Sequence, residues 1–81
     1  MSKRDKEFKR LLHQKTLTSD EMIRLLELDG WVPDPDKPQT GSHKHFVHPV
    51  KKGKVSVPDH HKVLKPKTHA RILQAAGLKR G

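Results

Sequence analysis

The sequence predicts an α+β domain: a small three-stranded antiparallel sheet with two helices on one face, in the order α-β-β-β-α, preceded by an extra N-terminal helix. Three observations carry this. Thr18 and Glu21 form a capping box that opens a helix. Two segments rich in β-branched and aromatic residues, "SHKHFVHP" and "KVSVPDH", follow one another across a turn-like "VKKG". A last helix is bracketed by Pro66 at its first position and Gly77 at its end.

Taken in order, "DKEFKRLLHQ" sets Phe8, Leu11 and Leu12 at i, i+3 and i+4, a short amphipathic helix flanked by Lys3, Arg4, Lys6, Lys9 and Arg10. Residues 1–17 form a basic extension that ends near Leu17, and residues 18–81 form the main domain. In the second helix Leu17 and Met22 occupy the staple positions around Thr18. Met22, Leu25 and Leu26 supply the apolar face, Ile23 and Leu28 widen it, and Gly30 ends it. Trp31 and Val32 begin a short edge strand, which Pro33, Pro35 and Pro38 turn into a loop by removing backbone donors. The two following strands pair as a hairpin. Alternation puts Val55 and Val57 on one face of the second. In the first it groups Phe46 with Ser42, Lys44 and His48, and turns His43, His45 and Val47 the other way. In the last helix Ile72, Leu73 and Ala76 form the buried stripe, and Gly77 with Leu78 reads as a Schellman end that brings Leu78 onto Leu73. Two helices then cover one sheet face and leave the other open.

With 81 residues, of which 31% are hydrophobic, the core is one thin layer and a large enclosed pocket is not expected. Eighteen Lys and Arg against nine Asp and Glu give a net charge of +9, which nominates a polyanionic partner without naming it. The absence of cysteine excludes a disulfide framework and a thiolate zinc site. No long apolar run is present and "MSKRDKEFKR" lacks the apolar segment of a signal peptide, so a cytoplasmic protein is expected.

The densest chemistry lies in "GSHKHFVHP", with His43, His45 and His48, and with His60 and His61 further on. A metal site fits this spacing poorly: His48 faces away from His43 and His45, and no cysteine or acid lies beside them to complete a tetrahedral set. No metal or other cofactor is expected. Solvated strand residues are the plainest alternative. Metal-free RNA cleavage is the chemical one. RNA carries its own nucleophile, the 2′-OH, and an imidazole with an ordinary pKa of about 6.5 takes a proton from it at neutral pH. A lysine or arginine then stabilises the phosphorane. A histidine beside Ser42 and Lys44 in a basic domain has those parts.

The runs "DEMIRLLELDGW", "GSHKHFVHP" and "KVSVPDHHKVLKPKTHARILQAAGL" resemble, in content and order, the HicA (YcfA-like) mRNA interferase toxins of type II toxin-antitoxin pairs; the resemblance covers roughly residues 18 to 78. It implies a fold like that of double-stranded RNA-binding domains. It also implies cleavage of mRNA by a catalytic histidine, here His43 in the Gly-Ser-His motif, and inhibition by a HicB-like antitoxin. His48 with Pro49 matches the strand-end His-Pro, while His45, on the face of His43, is placed for RNA contact; for both, a structural role is the leading reading. Ser42, Lys44, Lys51, Lys52 and Lys54 complete the expected RNA-binding or supporting set, the last three as an exposed basic tip of the hairpin. Three positions depart from the pattern. Lys44 stands where the family often has a second histidine, "PDPDKPQT" is longer and more acidic than the usual short basic strand, and His69 lies on a stripe that is usually apolar. His69 is read as a boundary residue. A non-catalytic RNA-binding domain is the rival reading, and a basic module for an acidic protein is a third, compatible with the first.

Overall fold

The computed structural model describes residues 2–78. Its elements are α1 (Lys3–His13), α2 (Ser19–Leu28), β1 (Val32–Pro33), β2 (Gln39–Thr40), β3 (His43–Val47), β4 (Lys54–Pro58) and α3 (Pro66–Ala75). Residues 79–81 lie outside the described residues.

The capping signals act as written. Thr18 Oγ1 accepts the Glu21 N–H at 3.1 Å, and the Glu21 carboxylate accepts the Thr18 N–H at 2.9 Å. That second bond, with one from the Gln14 amide, holds the Glu21 carboxyl below its usual pKa. At the far end the Gly30 N–H donates to the Glu27 carbonyl and the Trp31 N–H to that of Leu26, a Schellman motif made possible by a φ of +101° at Gly30. The expected Schellman end of α3 has the same bonds, from Gly77 to Gln74 and from Leu78 to Leu73.

The sheet is antiparallel and centred on β3, which pairs with β4 along its whole length, Phe46 opposite Val55 and His45 opposite Ser56. Its other edge is met twice, by β1 at Phe46 and Val47 and by β2 at His43 and Lys44. The expected first strand is therefore one edge strand in two pieces. It does not stop at the prolines, because His45 pairs across the gap: its carbonyl accepts the Asp34 N–H at 2.9 Å and its N–H donates to the Pro38 carbonyl at 3.0 Å. Residues 35–37 are looped out between these bonds, with Asp34 Oδ1 accepting the Asp36 N–H at 2.9 Å. The hairpin between β3 and β4 is also wider than "VKKG": His48 and Pro49 belong to the connection, not to the strand.

Alternation along the strands is as expected. Phe46, Val55 and Val57 turn inward and join Leu17, Met22, Leu25, Leu26, Trp31, Leu64, Ile72 and Ala76 in one core. α1 is part of the same core through Leu11, which is 2% exposed, with Phe8 and Leu12 packed against it. α2 and α3 cover the inward face of the sheet. His43, His45, Val47, Lys54 and Ser56 belong to the outward face.

Candidate nucleic-acid interface and catalytic histidine

Each candidate residue takes its place from this framework. Gly41, at φ +58°, turns β2 into β3, and the exposed Ser42 follows. The Ser42 carbonyl accepts the Asp59 N–H, which fastens the turn to the end of β4. His43 opens β3, flanked by Thr40 on one side and Pro58 on the other, and its side chain is exposed on the outward face.

His45 lies two residues on along the same face and is half buried. Its Nε2 is enclosed, with no hydrogen-bond partner among the described residues. Beside it, Lys54 Nζ reaches Asp34 Oδ2 at 3.2 Å. The Asp36 N–H and then the Lys54 ammonium hold the Asp34 carboxyl below its usual range. His43, His45 and Lys54 are thus brought to one face, with Lys54 at the level of Val47 and His43 at the opposite end of the strand.

The other expected residues go elsewhere. Lys44 faces the helices, half buried, with its ammonium 3.7 Å from Asp59 Oδ2. It also lines a cleft of ≈ 270 Å³ with Ile23, Glu27, Pro33, Pro38, Gln39 and Phe46. The sequence placed Lys44 beside His43; adjacency in the chain separates them across the sheet.

His48 is bonded on both ring nitrogens. Nδ1 accepts the N–H groups of Val50 and Lys51, each at 3.0 Å, so it carries no proton, and Nε2–H donates to the Asp29 carbonyl at 2.7 Å. The ring meets Trp31 edge-on at 5.2 Å. His48 fixes the end of α2 against the hairpin and has no free nitrogen for proton transfer.

The expected basic tip divides. Lys51 turns inward, correcting its placement as an exposed tip residue: Nζ is 2.6 Å from Asp29 Oδ2 and 2.9 Å from the Ala76 carbonyl, binding the C-terminal ends of α2 and α3 together. Lys52 is exposed. His69, read as a boundary residue, is 8% exposed, and burial depresses its pKa.

A second cluster escaped sequence reasoning. Asp20, Asp59 and His61 bring one ligand-type atom each to within 4.8 Å of one another. His61, with φ of +59°, sets Nδ1 2.9 Å from Asp20 Oδ2 and Nε2 3.8 Å from Asp59 Oδ1. Asp20 first, and then Asp59, raises the His61 pKa, because both carboxylates favour the protonated ring between them. The only sequence signal was a pair of histidines after an aspartate; the contact with Asp20 spans 41 positions.

An α-β-β-β-α domain with both helices on one face of an antiparallel sheet has the architecture of double-stranded RNA-binding domains, and here its free face carries an exposed histidine at the start of the central strand. No curated protein matches the chain significantly. Residues 19–78 match the family described as HicA toxin of bacterial toxin-antitoxin systems, and the chain belongs to that family. It is therefore the toxin member of a toxin-antitoxin system. The match begins at the first residue of α2, leaving α1 outside it.

Proposed function

We propose that the chain is an mRNA interferase, a metal-independent endoribonuclease whose proton-transfer group is His43. The observation that supports this best is the position of His43: an exposed imidazole on the open sheet face of a +9 domain of the HicA toxin family. Chemically the group is free to act, whereas His48 is tied at both nitrogens. With RNA laid along the outward face, His43 takes the proton of a 2′-OH as that oxygen attacks the adjacent phosphorus. The bond to the 5′-oxygen breaks, that oxygen leaves with a proton, and the products are a 2′,3′-cyclic phosphate and a 5′-hydroxyl. Lys54, on the same face, and Lys52 in the hairpin connection contribute positive charge for the flanking phosphates.

Translation and growth then stop for want of intact message, in the cytoplasm where mRNA is found. A HicB-like antitoxin covering the outward face would bury His43 and compete with phosphate through acidic groups.

The test is cleavage of a defined RNA by the purified chain. Cleavage should persist in EDTA, leave the cyclic phosphate, fail on 2′-O-methylated RNA, and fall on the order of a hundredfold in His43→Ala with the fold intact. A 5′-phosphate product or an absolute need for magnesium would instead indicate metal-activated water. Absence of cleavage by the parent chain, together with harmless expression alone, would favour a non-catalytic RNA-binding domain.

A further inference from the structure

α1 lies outside the matched span, yet residues 1–17 hold six of the chain's 18 Lys and Arg and two of its nine Asp and Glu. An 11-residue helix is marginal in water by itself, so something must hold it. Its docking supplies that. Leu11 is buried in the core with Phe8 and Leu12 beside it, Ser2 caps the first turn through the Asp5 N–H, and Arg24 of α2 grips Glu7 with two bonds at 2.9 and 3.2 Å.

Docking fixes which side of α1 faces out. At 3.6 residues per turn, Phe8, Leu11 and Leu12 fall in one sector, and Lys3, Lys6, Arg10 and His13, spaced three, four and three apart, fall in the opposite one. All four are exposed. Neither acid of the helix lies on this stripe, and Glu7 is taken up by Arg24. The stripe runs roughly 15 Å along the axis, with cations about one turn apart.

From this geometry we infer that α1 is a second RNA-backbone surface, with Lys3, Lys6 and Arg10 each contacting a phosphate regardless of base sequence. Charge complementarity selects the partner: the outward sector offers cations and no apolar side chain, and the apolar sector is already spent on the core, so membrane insertion has nothing to insert. α1 packs on α2, on the helical side of the molecule, whereas His43 is on the outward sheet face. A long RNA held at both surfaces is bound with an avidity neither surface has alone, and the stripe stays available when the sheet face is covered. The inference rests on RNA being the substrate, as proposed above, but not on cleavage.

The experiment uses the full chain carrying His43→Ala, with and without Lys3→Gln, Lys6→Gln and Arg10→Gln together. Binding of a long unstructured RNA, and of a short oligonucleotide spanning only the scissile site, is measured against salt. For the long RNA we expect the triple variant to lose about tenfold or more in affinity at low salt, and the slope of log K against log salt to fall by about 2, roughly 0.7 per phosphate contact. The short oligonucleotide should bind as before, and Lys3→Arg with Lys6→Arg should restore most of the affinity. An unchanged slope for the long RNA overturns the inference, as does an equal loss on both RNAs. Loss of binding to anionic vesicles without loss of RNA binding assigns the stripe to a membrane and also overturns it. If the parent chain never cleaves RNA while the stripe still governs long-RNA affinity, the inference stands and the cleavage reading falls.

Discussion

The imidazole of His48 fills the space that a side chain on residue 30 would need. A Cβ built on Gly30 lies 2.9 Å from His48 Nε2, and the φ of +101° is one that L residues rarely adopt. Gly30 and His48 are therefore one device: the glycine ends α2 in a Schellman motif, and the ring closes over it to bind the Asp29 carbonyl.

Gly30→Ala should accordingly destabilise the chain by about 1–3 kcal/mol, through both the backbone strain and the displaced ring. The thermal midpoint should drop by roughly 4 °C or more. Adding His48→Ala should relieve the collision but not the strain, so the double variant stays below the parent. A midpoint for Gly30→Ala equal to the parent's would show that the ring moves aside freely.

Lys51 and Lys52 are neighbours in the chain, the first half buried and bonded to Asp29 and Ala76, the second exposed. Lys51→Ala removes the tie between Asp29 and the Ala76 carbonyl and should cost about 1 kcal/mol of stability, the partial exposure of the pair holding the figure down. Lys52→Ala should leave stability within about 0.5 kcal/mol and weaken RNA binding. Denaturant midpoints and RNA titrations on both variants decide it. The reverse pattern would mean that Lys51 is the RNA contact.

Lys54 shares the outward face with His43 but sits at the Val47 level, four residues further along β3, roughly 13 Å away. On the proposed reading it would hold a flanking phosphate, not the scissile one. Lys54→Ala should therefore raise KM by roughly tenfold, about 1.4 kcal/mol, and leave kcat close to the parent value. Lys44→Ala, on the opposite side of the sheet, should change KM less. A fall in kcat alone for Lys54→Ala would argue that this lysine acts on the transition state.

His69 gives the fold an acid limit. Burial lowers its pKa in the folded chain below the ordinary 6.5, so the unfolded chain binds that proton more readily. Its burial as a neutral ring is fully tolerated above pH about 6.5, and stability is lost as pH falls below that value. His61 acts with the opposite sign: its pKa is raised, so its ion pair contributes below the ordinary value and fades as pH rises through the folded one. His69→Leu should flatten the fall in thermal midpoint between neutral pH and pH 5, whereas His61→Ala should not. An unchanged acid slope in His69→Leu would place the acid sensitivity elsewhere.

What the sequence disclosed was local. The capping box at Thr18 and Glu21 and the Schellman ends at Gly30 and Gly77 are contacts within a few residues, and alternation alone separated His43 and His45 from Phe46. What it hid depends on distant partners. The charge of Lys51 reads as solvated until Asp29, 22 positions earlier, and Ala76, 25 later, are known to converge on it. Three prolines between Val32 and Thr40 read as the end of a strand, because nothing in those residues announces that His45 supplies both bonds that carry the edge across the gap. The role of His48 was half legible: the ring's bonds to Val50 and Lys51 are local, its bond to Asp29 is not.

The looped-out residues 35–37 have a consequence for how this protein tolerates change. Because the Asp34 N–H and the Pro38 carbonyl both fasten to His45, the strand's register is locked on either side of the excursion. Segments of different length grafted between those two anchors should therefore leave His43 at its level along the sheet and on its outward face. The edge strand works as a splice point: it insulates the start of β3, where His43 stands, from whatever sequence is carried in the loop.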